Sequence, residues 1–162
     1  MGLTFGIQTI TGEDIPLWFT KTDSKKFAGR ISYLLLDDND YEDLPKLLKR
    51  IGLELSSLKK IKDGSYRSFE TFLVHFPFEE RKNLWNEQET AEELLWQSPE
   101  NIISDLDLLL DAINSNPGIF MQTDISDNYF LDGYFRQDII DLQKMAKWAQ
   151  EQGIEKVRLT IA

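Results

Sequence analysis

The chain has 162 residues, a net charge of −10, a single histidine (His75) and no cysteine. A chain of this length buries about 70% of its unfolded surface, so one domain that folds without metal or crosslink is expected. The composition excludes disulfides, thiolate metal sites, cysteine nucleophiles and any site of two imidazoles within one chain.

Leu3, Phe5, Ile7 and Thr9 alternate with Thr4, Gly6, Gln8 and Ile10, which predicts a half-buried strand ending near Gly12. Ser24 precedes Phe27, Ile31, Leu34 and Leu35 at helical spacing and is expected to cap that helix. A strand over Ile31–Leu36 is the competing reading. Asp43 and Leu44-Pro45 open a second helix, whose Leu44, Leu47, Leu48 and Ile51 form one face until Gly52. Phe69, Phe72, Leu73 and Phe76 fit a helix, while Thr71–Phe76 fits a strand ended by Pro77.

Thr90-x-x-Glu93 reads as a capping box ahead of Leu94-Leu95-Trp96. Ser98-Pro99 starts a helix carrying Ile102, Leu106, Leu109, Leu110 and Ile113, and Asn116-Pro117-Gly118 stops it. Phe135, Ile139, Leu142, Ala146 and Ala149 predict a last helix closed by Gly153. Val157, Leu159 and Ile161 then alternate with Lys156, Arg158 and Thr160 as a strand. The pattern predicts one α+β domain over residues 1–162. Its small sheet includes both terminal strands and packs against a larger set of amphipathic helices.

Charge is unevenly spread. Residues 83–135 hold eleven carboxylates and no lysine or arginine, whereas residues 44–67 carry a net +5. Such an acidic field repels nucleic acid and anionic lipid and favours a basic protein partner. Part of it has a local explanation. Glu100, Asp107 and Asp111 fall opposite the apolar stripe of the 98–114 helix, as its solvated back. Glu92 and Glu93, in the first turn after the expected capping box, suit the positive end of a helix.

The piece from Phe120 to Phe135 is left over, and it mixes acids with aromatics. Asp124, Asp127, Tyr129, Phe130, Asp132 and Tyr134 are therefore the expected partner-binding residues. Aromatics concentrate at interface centres, and an arginine pairs with a carboxylate and stacks on a ring together. The competing reading buries these aromatics as anchors of a loop.

No metal, cofactor or catalytic residue is expected. A calcium loop started at Asp38 has Asp43 where glycine is required and Lys49 where glutamate is required. One started at Asp124 has Tyr129 and Phe135 there. His75 has Glu70, Glu79 and Glu80 near it in sequence but no identifiable nucleophile. The first residues lack a secretory pattern, and no apolar run approaches membrane-spanning length, so a cytoplasmic chain with no membrane partner is expected. The leading expectation is a non-enzymatic protein-binding module, inhibitor-like or a nucleic-acid mimic, whose acidic 83–135 face engages a basic partner. The alternative is a small carboxylate-dependent hydrolase or transferase with a divalent ion. A further one has the acidic region serve homodimer assembly against the basic block, or solubility alone.

Overall fold

The structure, a computed structural model, describes residues 3–35, 43–64, 73–121 and 127–162. Both ends of the chain meet in one sheet. Strand β1 (Phe5–Thr9) runs antiparallel to β3 (Val157–Ile161), with Phe5 opposite Ile161 and Thr9 opposite Val157. Strand β2 (Ile61–Asp63) lies parallel on the other side of β3, so the order is β1-β3-β2. The alternation read in the sequence sends Phe5, Thr9, Val157, Leu159 and Ile161 into the core. Gln8, Lys62, Arg158 and Thr160 share the opposite face.

From β1 the chain turns at Gly12, whose φ of 80° is a left-handed conformation that glycine adopts freely. It then crosses to α1 (Lys25–Ile31), which continues as a 3-10 turn through Leu35, not as a strand. Ser24 does not cap α1 with its side chain. It sits at φ 66°, fully buried, and its hydroxyl accepts the Phe5 backbone N–H at 2.8 Å. The serine thus ties the helix start to the sheet edge, a tertiary role that local spacing does not reveal.

Helix α2 (Asp43–Ile51) buries Leu44, Leu47 and Leu48 as expected and stops at Gly52. The expected element over 69–76 falls partly on residues 65–72, outside the described residues. In its described part Leu73 is helical and residues 74–76 turn, so those residues form no strand.

Helix α3 (Phe78–Glu93) begins after Pro77 and corrects the capping-box reading. Thr90 lies inside the helix, and its hydroxyl donates to the Asn86 carbonyl at 2.9 Å. The pattern of a hydroxyl three residues before a glutamate also fits a helix interior, where threonine bonds back one turn. Glu92 and Glu93 therefore stand in the last turn, at the negative end of the helix, not in a first turn.

Helix α4 (Pro99–Ser115) starts with Ser98-Pro99 and ends at Asn116. A short α5 (Asn128–Leu131) precedes α6 (Tyr134–Glu151), which enters through Gly133. Helices α4 and α6 form the main layer against the sheet, with Ile102, Leu106 and Leu109 of one and Ile139, Leu142 and Ala146 of the other all buried. Six α-helices and three strands lie among the described residues. One core joins all of them except α3, which contributes no residue to it, and Phe27, Phe120, Tyr129, Phe130 and Phe135 fill one end. The rings of Phe130 and Phe135 are 4.8 Å apart and those of Phe120 and Phe130 are 5.3 Å apart.

Candidate partner-binding surface

Several carboxylates of the 83–135 tract are taken up by the fold. Asp105 accepts the Ser57 backbone N–H at 2.8 Å. Asp107 accepts Gln143 Nε2 at 2.5 Å, and Glu100 accepts Gln150 Nε2 at 3.2 Å. Glu100 and Asp107 lie on the solvent side of α4, as expected, but they also reach across to α6.

Four of the five aromatics between 120 and 135, namely Phe120, Tyr129, Phe130 and Phe135, are buried. Asp124 lies outside the described residues. Asp127 sits just before α5 and accepts the Tyr129 backbone N–H at 2.9 Å. It also pairs with Arg30 and stands 4.0 Å from Lys26 Nζ. The Tyr129 amide, then Arg30 and Lys26, hold its carboxyl below the usual range despite some desolvation. Its charge is therefore balanced from within the chain.

Tyr129 and Phe130 are buried, as in the competing reading that anchors these aromatics to the core. The reason is packing: α5 rolls both rings against Phe135, and interior rings bury far more apolar area than exposed ones. The Tyr129 hydroxyl donates to Asp138 at 2.7 Å, and burial together with that carboxylate pushes the phenol well above its ordinary range. Of the five expected residues that are described, Asp132 and Tyr134 stand exposed.

Helix α3 has the opposite character. None of its residues is buried. Its inner stripe, Arg81, Leu84, Gln88 and Glu92, is half-covered and mostly polar. Phe78, Lys82, Trp85 and Glu89 recur at helical spacing and share a flank. Phe78 is 82% exposed and Trp85 39%. Trp85 Nε1 donates to Glu89 at 2.6 Å, which fixes the indole beside a carboxylate. Arg81 lies 5.9 Å from the Phe78 ring centre.

Beyond this flank a groove of about 620 Å³ separates the C-terminal half of α3 from the sheet. Asn86, Glu89, Thr90, Glu92 and Glu93 form one wall, and Trp96 and Arg158 the other. The Arg158 guanidinium lies 4.3 Å from the Trp96 ring centre and donates to Gln8 Oε1 at 2.7 Å. Lys62 reaches Glu92 at 3.5 Å. Here the basic and acidic blocks meet in an ion pair.

The sequence reading placed no role on Phe78, Trp85 or Trp96. A signal for the first two exists: they stand on a helix whose sequence has no continuous apolar stripe. It also missed Asp138 and Asp141, which interrupt the apolar face of α6 and are both buried. No group of three or more His, Asp or Glu side chains converges as a metal site among the described residues. No helix there is long and apolar enough to cross a membrane. No family model matches the sequence, and no curated protein or solved structure matches it either.

Proposed function

We propose that this chain is a non-enzymatic, cytoplasmic protein-binding module, and that α3 with the adjoining acidic groove is where it engages a basic partner. One observation carries the reading. A helix of sixteen residues buries none of them, yet presents Phe78 and Trp85 beside Glu89, with Glu87 and Glu93 also exposed. A solvated helix gains nothing from an exposed phenylalanine, whereas an interface gains an anchor. The carboxylates in its last turn add to the negative end of the helix dipole, so cations are drawn to that end. Carboxylates spaced along a helix also imitate phosphates, which fits an inhibitor of a basic enzyme or a nucleic-acid mimic, and nucleic acid itself is repelled.

Affinity capture with the whole chain tests this. The captured protein is expected to be basic, to be released as salt rises, and to be lost with Phe78→Ala/Trp85→Ala or Glu87→Lys/Glu89→Lys/Glu93→Lys. Capture that survives both sets of changes contradicts the reading.

A further inference from the structure

Residues 10–24 link β1 to α1, and two buried carboxylates of α6 fasten this segment down. The Asp141 carboxylate accepts the Thr20 backbone N–H at 2.8 Å, the Thr20 hydroxyl at 3.0 Å and Gln137 Nε2 at 3.0 Å. Asp138 accepts the Thr22 hydroxyl at 2.8 Å and the Tyr129 hydroxyl at 2.7 Å. Just ahead of these ties, Phe19 enters the core, its ring 6.0 Å from that of Phe27. Leu17 and Trp18 stay outside.

Neither carboxylate forms an ion pair with a lysine or arginine among the described residues. The charged and titratable groups around Asp138 are Asp141 on its own helix, Asp23 on the segment and Tyr129 on α5. Around Tyr129 stand Arg30 of α1 and Asp127 before α5. Lys21 and Lys26 line, with Thr22 and Tyr129, a cavity of about 210 Å³. Burial holds the Asp138 carboxyl above the ordinary range, against the hydrogen bonds from Tyr129 and Thr22, and repulsion from Asp141 and Asp23 adds to it.

We propose that residues 16–24 are a proton-linked strap, which closes on α6 with a proton taken up at Asp138 and loosens when that proton leaves. The neutral acid has partners in place, because the Thr22 and Tyr129 hydroxyls can each turn from donor to acceptor. Lifting the strap hydrates Asp138 and brings its carboxyl down toward the ordinary aspartate range. The closed form therefore binds the proton more tightly, and closure strengthens as pH falls. Between the open and closed pKa values, opening increases by up to about tenfold per pH unit. An open strap withdraws Phe19 and uncovers Phe27 and the Asp138 face of α6, so pH gates an aromatic surface.

The test is a titration of the full chain by NMR, following the Asp138 carboxyl carbon and hydrogen exchange of the Thr20 and Ser24 amides. The Asp138 midpoint is expected above the ordinary aspartate value. Strap protection should fall as pH rises through that same midpoint, while protection over Ile102–Leu109 stays level. An Asp138 midpoint at or below the ordinary value, or strap protection that ignores pH, overturns the proposal. In Asp138→Asn the pH dependence of the strap is expected to disappear, and its persistence also overturns the proposal. Should that variant fail to fold, the wild-type titration decides alone.

Discussion

Arg30 binds Asp127, reaches Asp43 at 3.2 Å, and stands 5.7 Å from the Phe130 ring centre. One guanidinium thus joins α1, the start of α2 and the entry to α5. It is the kind of contact expected from a basic partner, supplied from inside the chain. Asp127, one of the three carboxylates expected to meet a partner, already has a cation.

Arg30→Ala should lower the unfolding free energy by about 2 kcal/mol, because two half-buried carboxylates lose their shared cation. Arg30→Lys should restore only part of this, since a lysine cannot hold two carboxylates in a planar fork. The Asp127 carboxyl is depressed in the folded chain, so its contribution is present above the ordinary pKa of about 3.9. It is lost as pH falls through the depressed folded value. Thermal melts of wild type and Arg30→Ala should therefore converge toward pH 2.

The aromatic piece makes a second prediction. Phe135→Ala should cost about 3–5 kcal/mol, as Phe27, Phe120, Tyr129 and Phe130 all lie against that ring. Tyr129→Phe should cost about 1–2 kcal/mol through the lost bond to Asp138. Denaturant melts read both. Neither change should alter partner binding once the chain is folded, which separates this cluster from α3.

How much of this was legible follows from the range of the interactions. Both terminal strands, α2, α4 and α6 were readable because period, proline and glycine signals act within a few residues. Ser24 was misread as a side-chain cap because its partner is the Phe5 amide, 19 residues away. Thr90 was misread because a capping box and a back-bonded threonine share one spacing. Tyr129 and Phe130 had two readings in sequence, and only packing against Phe120 and Phe135 decided between them. Nothing within a few residues says that α3 buries none of its side chains. The sign of it is the absence of an apolar stripe over 78–93. Asp138 and Asp141 broke the α6 stripe in plain sight, and a buried carboxylate there needed partners that only Thr20, Thr22 and Tyr129 provide.

At the end of α3, stability and binding should move in opposite directions. Glu93→Lys puts a cation at the negative end of the helix and should raise stability by about 0.5 kcal/mol. The same change should weaken capture of a basic partner. Phe78→Ala, at an exposed position, should leave stability within about 0.5 kcal/mol of wild type. It should nevertheless weaken binding by about tenfold or more if the ring is an anchor. Paired melts and binding isotherms at matched salt read both effects.

Asp138 makes the last stability prediction. Its folded pKa is raised by burial, so the proton-bound form is favoured in the folded chain and stability is lost as pH rises through that value. Asp138→Asn removes the buried charge and keeps one acceptor for Thr22 or Tyr129. The variant should melt higher than wild type at pH 7. That advantage should vanish below about pH 3.9, where wild type is neutral in both states.

The most direct test of the binding account is a map of where a cation-rich ligand settles. An arginine-rich amphipathic peptide can be titrated into the full chain while backbone amide resonances are followed at low and high salt. The account predicts shifts concentrated over Phe78–Trp96 with Arg158 joining them, reduced as salt rises and absent in Phe78→Ala/Trp85→Ala. Shifts centred on Asp132 and Tyr134 that leave α3 unmoved would contradict it.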